Sequence, residues 1–275
     1  MRSGRRKKVA QRAAPTKFDP CPPGAIGGQY KPLSETEVTQ VYDTAVRLLS
    51  ELGMGEVPER LTQDLLNNGA TISGERILFP PKMIERAIKT APKQFTLHGR
   101  DPNRSIHIGG DRVHFGTGGA AVQTLDIDTA QYRPSTLEDL HHFTRLQDAL
   151  RNVSWFTRCC VATDVPDNFD LDVNTVFALL KNTTKPVATS FTIAPHVAPI
   201  VRMLDIAAGG EGEFAKRPFL KAHISPVISP LRYAEDAVDV VYECIKHNIP
   251  MSCITAAQAG ATAPATLAGI LTQSL

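Results

Sequence analysis

The chain has 275 residues, 42% of them hydrophobic and 21% charged, a composition typical of a globular enzyme with a sizeable core. The formal net charge is only +2 although six Arg and Lys residues fall within the first twelve positions, so the rest of the chain is nearly neutral, which argues against a nucleic-acid partner. No apolar run approaches the roughly eighteen residues of a membrane span and no secretory leader is visible, so we expect a cytoplasmic protein without a membrane partner.

Residues 1–32 are basic and then rich in Pro and Gly, which predicts a solvated tail without regular structure; a nucleic-acid-binding or targeting arm is the alternative. Residues 33–110 are predicted to form an α+β region. Ser34 and Glu37 have the spacing of a capping box, so a helix is expected from there to Gly53. Helices over 58–67 and 81–91, a hairpin about Gly74 and strands over 95–98 and 105–108 complete this region.

The five cysteines show no CxxC pair and no regular spacing, which excludes a disulfide framework and a zinc knuckle. We expect them to be reduced and mostly buried. They are Cys21, Cys159, Cys160, Cys244 and Cys253.

Residues 111–275 alternate strictly between predicted strands and helices. Strands are expected over 113–115, 155–162, 186–192, 218–224 and 250–255, with a hairpin-like excursion over 122–132 and helices over 136–150, 172–181, 196–208, 233–247 and 262–275. Repeated βα units predict a parallel sheet, either doubly wound or a (β/α)₈ TIM barrel. Small and polar residues at successive strand ends favour the barrel, and the absence of a GxGxxG or GxxxxGK[ST] motif argues against the open nucleotide-binding sheet. With five strands, the prediction is an α/β fold of the TIM-barrel type, incomplete after about five units.

The loop after the last predicted strand is built almost entirely from Ala and Gly, over residues 256–263. Gln258 is its one sizeable polar side chain. Such a loop lets a large group approach the backbone, and a helix start predicted near Thr262 would favour an anion. A plain βα turn without a ligand is the alternative.

Several stretches resemble one known family. They are the Arg-rich start, the runs 74–80, 91–102, 116–120 and 133–140, and the Ala/Gly stretch that ends in Ala268 and Gly269. With these runs the chain resembles the N-terminal portion of the trimethylamine methyltransferase (MttB) family of TIM-barrel proteins, whose members are nearly twice as long. The resemblance implies transfer of a methyl group from a methylated or quaternary amine, of the trimethylamine or glycine betaine type, to Co(I) of a corrinoid-binding partner protein. It implies no tightly bound cofactor and a member without pyrrolysine, although the position of that residue lies in the half not covered here.

The candidate site residues follow from this chemistry. Aromatic faces and backbone amides on the barrel strands suit a substrate ammonium and its possible carboxylate; these predicted substrate-binding residues are Phe115, Gly116, Thr117, Gly118, Gly119, Trp155 and Phe191. Gln258 and His223 are the predicted catalytic residues, and Ala259, Gly260 and Thr262 are predicted to face the corrinoid. For each there is a structural alternative: core aromatics, a glycine turn with positive φ, a buried Gln at a strand end, and a merely hydrogen-bonded His223.

Other functions are left open by the residues themselves. No metal site is expected, because the run His223-Ile224-Ser225 lacks the thiolate of a His-x-Cys zinc site. A different barrel enzyme, such as a lyase, would need a Schiff-base lysine, and Lys221 lies mid-strand rather than at a strand end. A non-catalytic module that docks a corrinoid protein is the remaining alternative, and association between copies of the chain is not decided by the sequence.

Overall fold

The computed structural model describes Asp19 and residues 22–275. Most of the predicted basic tail, together with Cys21, lies outside the described residues. The domain boundaries at residues 32 and 110 stay predictions.

The first part of the chain is a set of short antiparallel pairs and amphipathic helices. Its elements are β1 (Ala25–Ile26), α1 (Glu35–Arg47) with a π-helical continuation (Leu48–Leu52), α2 (Glu59–Asn67), β2 (Thr71–Ser73), β3 (Arg76–Leu78), α3 (Pro81–Thr90), β4 (Gln94–Leu97), a 3₁₀ turn (Pro102–Arg104), β5 (Ile106–Gly109) and β6 (Arg112–Val113). The capping box at Ser34 and Glu37 forms as predicted, and Gly53 ends the helix with φ of 70°. Gly74, with φ of 59°, makes the turn of the β2–β3 hairpin.

The second part carries the βα units. Its elements are β7 (Phe115–Gly116), β8 (Gln123–Leu125), β9 (Tyr132–Pro134), α4 (Leu137–Ala149), β10 (Val153–Thr157), α5 (Asn168–Asn182), β11 (Val187–Thr189), a 3₁₀ turn (Ala194–His196), α6 (Val197–Ala208), α7 (Glu213–Lys216), β12 (Leu220–Ile224), β13 (Val227–Ile228), β14 (Arg232–Tyr233), α8 (Glu235–Lys246), β15 (Met251–Cys253) and α9 (Leu267–Ser274). In the part of the chain that is described, no helix is long and apolar enough to cross a membrane.

Five strands form one parallel sheet in the order β7, β10, β11, β12 and β15. Each strand pairs with the barrel strand that precedes it in the chain, so the order never reverses. A doubly wound nucleotide-binding sheet reverses its strand order at the switch point. The sheet is therefore a curled half-barrel of the TIM type, as the sequence predicted, and the other strands pair in two-stranded antiparallel ribbons.

The hydrophobic core lies between this sheet and the helices α4, α5, α6 and α8. Side chains alternate between the two faces of a strand, so Leu220, Ala222 and Ile224 of β12 join this core while Lys221 and His223 face the barrel interior. On β10, Phe156 packs into the core and Trp155 faces inward. Apolar residues thus fix the outer face, and the polar positions between them line the interior.

Several predicted boundaries differ from the structure. The strands expected over 155–162 and 186–192 span Val153–Thr157 and Val187–Thr189, and the helix expected over 172–181 spans Asn168–Asn182. The strand expected over 113–115 is split, because Arg112 and Val113 pair with β1 while Phe115 and Gly116 pair with β10. The helix expected from 262 begins only at Leu267, where the Thr266 hydroxyl caps it by accepting a hydrogen bond from the Gly269 amide. The prediction of a helix start near Thr262 was therefore wrong.

The N-terminal part is fixed to the half-barrel by arginines that bond to backbone carbonyls. Arg76 donates to the carbonyl oxygens of Leu52, Gly53 and Leu231, the last of which belongs to the β13–β14 turn. Arg217, between α7 and β12, donates to the Gly99 carbonyl at 2.8 Å. These contacts hold the α+β region against the loops around the sheet.

Candidate functional site

Trp155 lies on the inner face of the half-barrel, on β10 next to the edge strand β7. Its register partner on β7 is Gly116, and a Cβ placed on that glycine would come 2.1 Å from the indole ring. From the other side, the Lys221 ammonium lies 4.5 Å from the centroid of the indole ring. Ala188 on the intervening strand β11 is the register partner of Lys221, and its small methyl group leaves room for the lysine chain to reach the indole. The indole is therefore held between a glycine and a cation.

Ser252 on β15 joins Lys221 to His223. The Lys221 ammonium donates to the Ser252 hydroxyl at 2.9 Å, and the same hydroxyl lies 3.0 Å from Nδ1 of His223. Because Ser252 accepts from Lys221, its own proton is free to be donated to Nδ1, which requires His223 to be neutral. Burial, assisted by the charges of Lys221 and Arg158, lowers the pKa of His223 and favours that neutral form.

The interior carries net positive charge. Burial lowers the pKa of Lys221 from its ordinary value. Arg158, just after β10, is largely buried, and burial lowers its pKa while the charge of Asp172 acts in the opposite direction. Among the described residues, no carboxylate forms an ion pair with Arg158, Lys221 or His223. The geometry thus brings Lys221 and His223 together through Ser252 without an ion-paired acidic partner among the described residues.

The glycine segment after β7 binds to the end of β10. The Thr117 hydroxyl donates to the Thr157 carbonyl at 2.7 Å and accepts from the Thr157 amide at 2.9 Å. None of the glycines from Gly116 to Gly119 has a positive φ, so the interpretation as a positive-φ turn was wrong. Close packing explains the glycines at 116 and 119: a Cβ at Gly116 would contact the Trp155 indole, and a Cβ at Gly119 would lie 2.3 Å from the Arg158 carbonyl oxygen. A Cβ at Gly118 would meet open space.

A cavity of about 240 Å³ lies at the carboxyl ends of β11 and β12, beside the start of α8. Phe191, His223 and Asp236 are among the residues that line it. Phe191 is only 6% exposed and packs in the core between the sheet and the helices, so the structure does not bring it to the inner face beside Trp155. Phe115, in contrast, is 50% exposed on the edge strand β7.

Buried Asp172 on α5 holds the backbone next to this cavity. Its carboxylate accepts from the Thr192 amide at 2.8 Å and from the Thr192 hydroxyl at 2.9 Å, and it lies 2.7 Å from Nδ1 of His196. One side chain on α5 therefore fixes the loop that leads from β11 into α6.

The Ala/Gly loop after β15 is a compact turn rather than a helix start. The Gln258 carbonyl accepts from the amides of Ala261, Thr262 and Ala263, and Gly260 has φ of 72°. The Thr262 hydroxyl accepts from the Gln258 amide, and its carbonyl accepts from the side chains of Ser229 and Gln273. The Gln258 side chain is exposed and unbonded within the described part of the chain, so it does not cap a strand end. Ala259, Gly260 and Thr262 are exposed.

The structure brings together part of the predicted set and adds residues that were missed. Gly116 contacts Trp155, and His223 is joined to this pair only through Ser252 and Lys221, whereas the Gln258 loop lies at the rim and Phe191 in the core. Arg158, Lys221 and Ser252 were not predicted. Polar residues at alternate positions of otherwise apolar strands were the available signal for Lys221 and Ser252.

Across Asp19 and residues 22–275, no group of three or more His, Cys, Asp or Glu side chains could hold a metal ion.

Comparison with known proteins gives the family. The profile of the family "Trimethylamine methyltransferase (MTTB)" matches residues 1–275. Trimethylamine methyltransferase MttB of Desulfitobacterium hafniense (strain DSM 10664 / DCB-2) is 28% identical over 240 residues, which cover 86% of this chain and 48% of that relative. Glycine betaine methyltransferase of Desulfitobacterium hafniense (strain Y51) is 26% identical over 249 residues, covering 90% and 51%.

An archaeal relative is similar over the same part. Trimethylamine methyltransferase MttB1 of Methanosarcina mazei is 24% identical over 251 residues, which cover 89% of this chain and 50% of that relative. The chain thus spans about half the length of the relatives it matches. Since the family profile matches from the first residue to the last, the chain belongs to the trimethylamine methyltransferase (MTTB) family.

Proposed function

We propose that this protein takes part in the transfer of a methyl group from a methylated or quaternary amine to Co(I) of a corrinoid that a partner protein carries. The observation that carries the proposal is the family match over residues 1–275. Two relatives, named for trimethylamine and for glycine betaine, support an amine with N-methyl groups as the methyl donor.

The rim of the half-barrel fits a large planar co-substrate. The turn at residues 256–263 presents small, exposed residues, and the space around Gly118 is open. A corrinoid can therefore approach the backbone here without displacing a bulky side chain. Ala259, Gly260 and Thr262 would contact it, and Gln258 would contact either the corrinoid or the substrate.

Methyl transfer from a quaternary amine requires no proton transfer by the protein. The corrinoid, when present, supplies the nucleophilic Co(I); the C–N bond breaks and its electron pair stays on nitrogen. A quaternary ammonium therefore leaves as a neutral tertiary amine and needs no general acid. The chain's residues have to orient the C–N bond and exclude water, and they must not hold the cation too tightly, because its charge is lost in the transition state.

The experiment is a methyl-transfer assay with the purified protein. Mixed with cob(I)alamin and a panel of methylamines and betaines, it is expected to produce methylcobalamin from at least one of them, followed by absorbance. Gln258→Ala is expected to lower the rate strongly, while Gln63→Ala, an exposed glutamine on α2, serves as the matched control. If no amine yields methylcobalamin, the non-catalytic docking module takes precedence.

Lys221 favours a second candidate, the lyase alternative. It faces the barrel interior and burial lowers its pKa, as Schiff-base lysines require. Borohydride in the presence of carbonyl compounds would trap such an adduct on Lys221, and mass spectrometry would detect it. Methyl transfer without any trapped adduct would exclude this candidate.

A further inference from the structure

We propose that the inner face at Lys221 is a binding subsite for a carboxylate, so that the methylated amine is a zwitterion whose anionic end binds to Lys221. The identity of the ligand as an amine rests on the proposed function. The subsite itself rests on the geometry of Trp155, Lys221 and Ser252, and no relative's name assigns it.

The first observation is the uncompensated positive charge. Lys221 forms no ion pair with any carboxylate of the described residues. The rim carboxylate of Asp236 accepts from the Ala237 amide. Because partly buried charges need a partner, the interior selects an anion.

The second observation is the free bonding capacity of the Lys221 ammonium. It carries three N–H groups, of which one donates to Ser252. The indole of Trp155 faces the ammonium at 4.5 Å, as in a cation–π contact. The two remaining N–H groups have no partner among the described residues, so they can donate to the oxygens of a carboxylate.

The third observation concerns the cationic end of the substrate. Trp155 was predicted to bind the substrate ammonium, but the Lys221 cation already occupies that position beside the ring. A trimethylammonium group placed there would be repelled by a like charge in a partly buried site. A zwitterion avoids this repulsion when its carboxylate points to Lys221 and its ammonium points away.

The distance of Lys221 from the carboxyl-terminal rim of the sheet determines how a bound zwitterion would be oriented. Lys221 lies two residues before His223 on β12 and is therefore farther from the carboxyl-terminal rim. A carboxylate held at Lys221 leaves the N-methyl groups on the rim side. That is the side of the Gln258 turn, where the proposed corrinoid would dock.

Trp155 provides the measurement, because it is the single tryptophan of the chain. Its fluorescence is to be titrated with acetate, glycine betaine, choline and tetramethylammonium. We expect acetate and glycine betaine to change the emission with saturation, and choline and tetramethylammonium to have no effect. Saturable binding of choline equal to that of glycine betaine would overturn the proposal.

Variants of Lys221 test whether this side chain causes the change in Trp155 fluorescence. Lys221→Met is expected to weaken binding of glycine betaine about tenfold or more, while Lys221→Arg keeps it within a few-fold because the charge remains. Lys181→Met removes one exposed lysine on α5 and is the matched control for the loss of charge. If Lys221→Met does not fold, Ser252→Ala, which removes the group that positions the ammonium, is expected to weaken betaine binding.

The two proposals fail in different ways. Saturable binding of acetate together with no methylcobalamin from any amine would leave the carboxylate subsite standing and remove the methyl-transfer function. Methyl transfer from trimethylamine with no response of Trp155 to any carboxylate would remove the subsite and leave the function.

Discussion

At the scale of single residues, Gly116 decides the position of Trp155. A methyl group at Gly116 would come 2.1 Å from the indole, whereas one at Gly118 would meet nothing within 4 Å. Gly116→Ala is therefore expected to displace Trp155, shift its emission and weaken carboxylate binding, while Gly118→Ala leaves all three unchanged. Equal emission spectra for the two variants would contradict the described contact.

The pH dependence of carboxylate binding follows from Lys221. Burial lowers its pKa, so the ammonium is charged below that value and is lost as the pH rises through it. His223, whose pKa is also lowered, adds charge only when the pH falls through its own value. We expect the affinity for acetate to be highest where Lys221 is charged and the acetate carboxyl is still ionised, and to fall in the alkaline range before a surface lysine would titrate. A titration series in buffers of constant ionic strength measures this, and a flat profile would argue against Lys221.

The sequence predicted part of the site because some residue types at strand ends are typical of binding or catalytic positions. Gly116, Trp155 and His223 could be found, since a glycine run after a strand, an aromatic and a histidine at a strand end each have a known use. Lys221 was not predicted as a site residue, because it lies in the middle of a strand. Its role depends on its distance from Trp155 across β11, and tertiary structure sets that distance. The positions of Phe191 and Gln258 likewise depended on which face and which turn the chain adopts.

At the scale of elements, α5 is linked to the segment after β11 by Asp172, whose side chain is 1% exposed. Replacing it by Asn places an amide N–H against the Thr192 amide N–H. Asp172→Asn is therefore expected to lower the free energy of unfolding by about 3 kcal/mol, since it leaves buried partners unpaired. Urea unfolding measures this, with Asp170→Asn on the exposed side of α5 as control; equal midpoints would show that the contact contributes little.

Local sequence rules gave most elements and fewer of their ends. The capping box at Ser34 and Glu37 located α1. In the structure a second capping box, formed by Thr136 and Asp139, begins α4. The last helix was misplaced, because Thr262 satisfies the amide of Gln258 within a turn and Thr266 caps α9 instead. A pair of Thr residues four positions apart gives both candidates a similar local pattern, and the tertiary contacts of Ser229 and Gln273 select between them.

At the scale of the whole molecule, an apolar groove of about 1220 Å³ lies between α1 and α9. Leu271 on α9 lines it and is 44% exposed. A hydrophobic dye such as ANS is expected to bind there, and Leu271→Ser is expected to reduce its fluorescence. Leu146→Ser, at an exposed position of α4 outside the groove, is the matched control. No dye binding by the unmodified protein would contradict the exposure of this apolar surface.

The half-barrel itself was predictable because the alternation of strands and helices is strong and the strand ends are polar. The ribbon β13–β14 was not predicted, and it matters for the whole molecule because Arg76 and Glu56 of the N-terminal part bind it. These contacts join residues 155 and 176 positions apart in the chain, which leaves no local pattern, so sequence reasoning had no means to find the contacts between the ribbon and the N-terminal part.

The sequential order of the sheet has a consequence for biosynthesis. Each barrel strand after β7 pairs with the preceding barrel strand, apart from the small ribbons β8–β9 and β13–β14 that are translated between them. The sheet can therefore grow along one edge as the nascent polypeptide leaves the ribosome, and no strand has to wait for a later one to be inserted beside it.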